Sequence, residues 1–186
     1  MTRGTVLAVA VAALAAAAPA DGLAASGQAT ATGEARAEVA APLVVTREAD
    51  LDFGSIFAGS AAGAVTVSPG GVASYAGGVQ PACAGGCGGV GAARFAVQGE
   101  GGRSYAVAVP AGVTAQGTAT EAGAAAPPLD VTGLTVRSDS RPGAGAAGRL
   151  DGSGRDEFSV GGTLQVPAGL PAARYRATVP VIVTYG

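Results

Sequence analysis

The sequence predicts an exported all-β domain, an antiparallel β-sandwich preceded by an extended N-terminal arm. Three observations predict it. Short runs rich in Val, Ile, Thr and aromatic residues recur along the chain, separated by Gly- and Pro-rich turn signals. The 186 residues include 32 glycines but only 4% aromatics, which implies a thin core of Val, Ala, Leu and Ile held between tight turns. The chain also opens on an export signal: Arg3 followed by an unbroken apolar run over residues 6–18.

That run is shorter than the ~20 residues a membrane-spanning helix needs. Residues 1–20 therefore read as a signal peptide, with small residues for cleavage at Ala18-Pro19-Ala20 and, as late as residue 25, at Ala24-Ala25-Ser26. The expectation is a mature protein with no membrane span, which passes through the periplasm to the cell surface or the medium. Residues 21–41 form the arm and residues 42–186 the sandwich. Within the arm, residues 28–39 alternate strictly. Ala29, Ala31, Gly33, Ala35, Ala37 and Val39 fall on one face; Thr30, Thr32, Glu34, Arg36 and Glu38 fall on the other. Period two is the strand signature. A face this small suits a shallow groove, so these six residues are the candidate donor strand; the alternative is a disordered Ala/Thr tail.

The sandwich starts with two runs, 43–46 and 51–57, linked by the polar Arg47-Glu48-Ala49-Asp50. Leu51, Phe53 and Ile56 are the large apolar residues available to begin a core. Further strands are expected at 64–68, 72–75, 93–98 and 105–109, the last two as a hairpin with a longer loop. Residues 111–126 signal strand only weakly. Residues 129–137 are a strand region interrupted by Gly133, and 138–148 read as a loop. The two best late strands are 158–167 and 175–185. In the last, Tyr175, Ala177, Val179, Val181, Val183 and Tyr185 share one face. Pro180 has no N–H to give to a ladder, which places it on an edge or at a bulge. Tyr175, Val179, Val181, Val183 and Tyr185 are thus candidates for an open C-terminal edge.

Composition excludes several functions. The chain has no His, Lys or Asn, and all eleven basic residues are Arg. Histidine acid–base catalysis, most zinc sites and Asn-linked glycans are therefore absent. A formal charge of -2 without a basic run argues against nucleic acid. The serines lack a His or Lys base. Asp50 and Asp52 share one face if extended, yet nothing marks them as a glycosidase pair and Trp is absent. Asp151, Asp156 and Glu157 lie in a Gly-rich loop that could offer calcium oxygens, or serve as an ordinary turn; the spacing is not that of an EF-hand. No catalytic residue, metal ligand or cofactor is assigned.

Cys83 and Cys87 are the only cysteines. In an exported chain an even count favours a disulfide, here a small clip that constrains the unfolded chain by roughly 2 kcal/mol. Redox or metal use and free thiols are the alternatives; the spacing is C-x3-C rather than the redox C-x2-C.

Several segments together resemble a family of small secreted bacterial proteins, a pilin-like domain of unknown function. They are Pro42-Leu-Val-Val-Thr46, Leu51-Asp-Phe-Gly-Ser-Ile56, Val65-Thr-Val-Ser-Pro69, residues 93–99 and 105–110, Phe158-Ser-Val-Gly-Gly-Thr-Leu-Gln-Val-Pro167 and the closing 175–185. The arm with its Pro-Leu-Val-Val-Thr is similar to the start of common-pilus fimbrillins, and the tail to spore-coat-U-type domains. The resemblance implies an immunoglobulin-like antiparallel sandwich lacking one strand, carried by a periplasmic chaperone and usher. Its partners would be copies of itself or related subunits. The expected function is a structural subunit of a fimbria or other surface structure, completed by strand donation from a neighbour's arm. The alternative is a monomeric secreted or cell-surface sandwich with a binding or coat role.

Overall fold

A computed structural model describes residues 30–83 and 89–186. The chain divides into two units, Met1–Glu38 and Val39–Gly186. Of the first, residues 30–38 are described. They are exposed and form no strand; their one ion pair joins Glu34 to Arg36 at 2.9 Å. Ala29, the expected signal peptide and Cys87 lie outside the described residues.

The second unit is all-β, and every ladder among the described residues is antiparallel. Its strands are β1 (Val44–Ala49), β2 (Ile56–Val67), β3 (Ala73–Pro81), β4 (Ala93–Gln98), β5 (Ser104–Ala108), β6 (Gly112–Ala119), β7 (Leu129–Ser138), β8 (Ala147–Arg149), β9 (Arg155–Val166), β10 (Ala173–Arg176) and β11 (Ile182–Tyr185). A large sheet runs β1-β4-β9-β7-β6-β10, with β2 and β3 branching from β9; a small sheet runs β11-β5-β8.

The long β9 organises both. One side pairs along its length with β7. The other side pairs with β4 over its first half and with β2 over its second. Gly161 and Gly162 sit at the changeover, both buried. A Cβ on Gly161 would run into the Val67 carbonyl oxygen and lie 2.6 Å from the Pro69 nitrogen, so the end of β2 passes directly over it. Bare backbone is what lets β9 exchange one partner for the next.

The core divides at the same point. Phe158 and Val160 pack with Ala93, Val97, Tyr105, Val107 and Leu150 between the two sheets. Leu164 and Val166 pack with Val65, Val79, Ala115, Leu129 and Val131 where the large sheet curls. Partly buried Leu134 touches both clusters.

Several elements differ from expectation. Residues 47–49 belong to β1, because Arg47 and Ala49 find partners on β4 across a bulge. Residues 51–55 form no strand; an isolated bridge joins Asp52 to Gly91, and the Asp52 carboxylate accepts the Gly54 N–H at 2.7 Å. The turn needs Gly54, whose φ is 72°. Gly133 does not break β7 but makes a bulge in it, with φ 60° and a register shift between Thr132 and Thr135. A short β8 interrupts the expected 138–148 loop.

The largest difference is at the C-terminus. One strand over 175–185 becomes two strands in different sheets: β10 pairs β6, and β11 pairs β5. The residues between them, Pro180 included, carry the chain from one sheet to the other, as strands do at sandwich corners. The alternation survives the crossing: Tyr175, Val179, Val181, Val183 and Tyr185 are half-buried, while Arg176, Thr178, Pro180, Ile182 and Thr184 are exposed. Ala177 departs from the pattern and is exposed.

Candidate functional site

The site is an edge, and it begins with β11. Val183 stands opposite Val107 and Tyr185 opposite Tyr105, both buried, so their side chains face the core. Yet Val181, Val183 and Tyr185 are only half-buried. The reason is that β11 ends its sheet: β5 is its sole ladder partner among the described residues. On the large sheet, Val45 pairs with buried Val97 and so shares its core-facing side, but is 39% exposed. Partly buried Leu43 packs on the same cluster as Val181 and Val183. A two-sheet core is thus left uncovered where β1 and β11 end their sheets.

The open edges differ in how they are guarded. β1 carries Arg47 and Glu48 and a bulge. β3 ends on Pro81 and is irregular opposite residues 58–63. β10 places exposed Arg174 and Arg176 on four residues, and β8 is three residues long. Charge, bulges, proline and shortness all discourage a further strand. β11 is Ile-Val-Thr-Tyr, with no charged side chain and no bulge in its ladder; Ile182 is 62% exposed.

Tyr185 closes β11. Its hydroxyl accepts the Glu100 N–H at 2.8 Å and donates to the Ala41 carbonyl at 2.7 Å. The Arg103 guanidinium lies 4.9 Å from its ring centroid. At the other end of the candidate edge, the Tyr175 ring lies over Gly117, where a Cβ would come within 2.6 Å. Its hydroxyl has no partner among the described residues, and burial raises its pKa. Val179 belongs to neither strand.

The carboxylates singled out in the sequence are separately engaged. Asp50 pairs with Arg47 at 2.6 Å, while Asp52 caps its own turn. Asp151 accepts the N–H groups of Ser153 and Arg155 at 2.8 and 2.9 Å and the Ser153 hydroxyl at 2.7 Å. Asp156 takes the hydroxyls of Tyr105 at 2.7 Å and Ser138 at 3.0 Å, together with the Ser140 N–H and hydroxyl. Glu157 pairs with Arg94 at 2.8 Å, which raises the arginine's pKa. Among the described residues no three such groups are placed to hold a metal ion. This network was not legible in the sequence, because Tyr105, Ser138 and Asp156 meet only across three strands. It is a polar plug: burial, then the bond to Asp156, raises the Tyr105 pKa.

The Asp151 turn has a pH consequence. Its backbone bond from Arg155 and the Ser153 hydroxyl bond hold the carboxyl below the ordinary value. A folded pKa below the unfolded one stabilises the fold above the unfolded value of about 3.9, and that contribution is lost as pH falls through the folded value. Asp151→Asn should therefore flatten the acid limb of a urea-midpoint profile below about pH 4. An unchanged acid limb would show that the turn does not sense the charge.

The fold defines the class: an all-β, two-sheet domain whose four-residue C-terminal strand pairs with β5 alone among the described residues. The chain belongs to the family described as Domain of unknown function (DUF4402), whose model matches residues 43–185. Those limits fall within a residue of the start of β1 and on the last residue of β11, so the arm lies outside the match. No curated protein matches the chain. No solved structure matches it either. No helix of the described residues is long and apolar enough to cross a membrane.

Proposed function

We propose that this protein is a structural subunit of a fimbria or other surface structure, assembled when the arm of one copy adds as a strand to β11 of the next. The observation that carries this reading is the contrast between edges. β11, though four residues long like β10, alone of the sheet-end strands carries no charge, bulge or proline, and Val183 within it and Val181 just before it are only half-buried. An added strand supplies main-chain hydrogen bonds at about 0.5–1.5 kcal/mol each and covers that apolar strip. The arm has the matching form. Its face of Ala31, Gly33, Ala35 and Ala37 is small enough for a shallow groove, and Val39, 94% exposed, ends it.

The resemblance to fimbrillins supports the same reading and adds a periplasmic chaperone and usher, export by the signal peptide, and a non-catalytic role. A disulfide between Cys83 and Cys87 belongs with export; a mass two hydrogens below the dithiol, measured without reduction, reads it directly. The second reading is a monomeric secreted or surface sandwich, favoured by how well the other edges are guarded.

The test contrasts the two faces of the arm. Ala35→Arg puts a charge into the groove, where desolvation and bulk exclude it, and should abolish polymers while each subunit stays folded. Thr32→Arg, on the other face, should assemble as the native chain does. Sedimentation and electron microscopy read the outcome. Equal behaviour of the two variants would reject strand donation and favour the monomeric reading.

A further inference from the structure

Tyr185 joins the acceptor edge to the root of the donor arm. It is the last residue of β11, and its hydroxyl bonds the Ala41 carbonyl, two residues before the Leu43 anchor in the core. Among the described residues no other hydrogen bond holds residues 39–43. The socket around the hydroxyl is built from several directions. Gly99 makes room for it: a Cβ there would collide with the Tyr185 oxygen and press on Leu43 and Leu150. Glu100 supplies the N–H that occupies the acceptor side of the oxygen, so its one proton is turned to Ala41. Arg103 covers the ring and is itself held by Glu100 at 3.2 Å. Pro42, between the bonded carbonyl and the core anchor, has a fixed φ and stiffens the join.

We propose that Tyr185 is a positioning latch: it holds the root of the arm, at Ala41, against the subunit's own β11. The inference rests on the strand-donation reading. In a head-to-tail chain of copies, the relation between the edge a subunit offers and the arm it donates sets the rotation from one subunit to the next. With the latch closed, only Val39 and Ala40 lie between the held carbonyl and the arm, and the polymer is stiffer. With it open, the unheld stretch extends to Leu43 and successive subunits turn more freely.

The test uses the full chain, Tyr185→Phe and Gly99→Ala. Tyr185→Phe keeps the ring and removes the hydroxyl; Gly99→Ala keeps the hydroxyl and displaces it. In the isolated subunits, the backbone order parameters of Ala40, Ala41 and Leu43 should fall in both variants, from the rigid range towards about 0.6, with Val97 and Val107 in the core unchanged. Polymers of both should form, and electron microscopy should show their persistence length reduced about twofold or more, an effect that mere loss of stability would not give. Native-like order parameters at Ala40, Ala41 and Leu43, or native-like stiffness, in Tyr185→Phe overturns the latch alone. No polymer from the native chain overturns strand donation itself and the latch's role with it.

Discussion

Phe158→Ala should lower stability by about 3–5 kcal/mol, among the largest losses any single truncation in this chain can give. The ring is 0% exposed and stacks on Phe95 with centroids 5.0 Å apart and planes 13° from parallel. Its ladder partners are Phe95 on β4 and Ser138 on β7, so it sits in the middle of the sheet. Truncation removes the apolar area of the ring and opens a cavity that flanking strands resist closing, since both are fixed by ladder bonds. With only 4% aromatic residues, little else nearby is large enough to refill the space. Against a total of roughly 5–15 kcal/mol for a domain, a Tm fall of roughly 6–20 °C is expected by calorimetry. Phe158→Leu, which keeps more of the volume, should lose about half as much or less. A loss under about 1 kcal/mol for the alanine variant would mean that the ring is not a core element.

Gly161→Ala should cost about 1–3 kcal/mol or more, although it adds a single methyl group. The new Cβ meets backbone on every near side: the Val67 carbonyl, the Pro69 nitrogen at 2.6 Å and the Ser68 carbonyl carbon at 2.7 Å. The Val67 carbonyl is held in the β2–β9 ladder and Ser68 by its N–H bond to the Val72 carbonyl, so relief requires the end of β2 to lift from β9, opening the cluster around Val65 and Leu164. Gly162→Ala provides the control. Its Cβ would meet the Leu134 Cδ2 at 2.9 Å and the Leu51 Cδ2 at 3.4 Å, both ends of flexible side chains, and should cost less. Neither glycine has a positive φ, so the contrast isolates close approach from backbone conformation. Chemical denaturation of the two variants side by side gives the comparison. A Gly162→Ala variant as damaged as Gly161→Ala would show that the changeover in β9 is not the constraint.

These two positions show why local pattern carried some of this structure and not the rest. Arg94-Phe95-Ala96-Val97 and Tyr105-Ala106-Val107 gather aromatic and β-branched residues within a few positions, and both appear as strands where that enrichment puts them. Residues 112–119 gave little signal because Ala, Gly and Thr are poor markers, yet they form β6 between two neighbours that supply the pairing. Gly161 and Gly162 read in the sequence only as a motif; their meaning is the passage of β2 over β9, a contact between segments about a hundred residues apart. Tyr185 is legible as a face of alternating residues, but its bond to Ala41 spans 144 residues and has no local mark.

What the sequence determined by itself is the period of each segment and the class that follows from it. Alternation, turn glycines and a shortage of large side chains are local properties, and they specify antiparallel strands around a thin core. The tertiary structure decided which strand pairs with which, because ladder bonds are made by the same backbone groups at every residue and carry no address. It split the run over 175–185 between two sheets although its alternation continues almost unbroken, since facing two cores from two sheets demands the same periodicity as facing one. It also decided which strands end a sheet: β11 pairs with β5 alone among the described residues, because β8 takes the other side of β5.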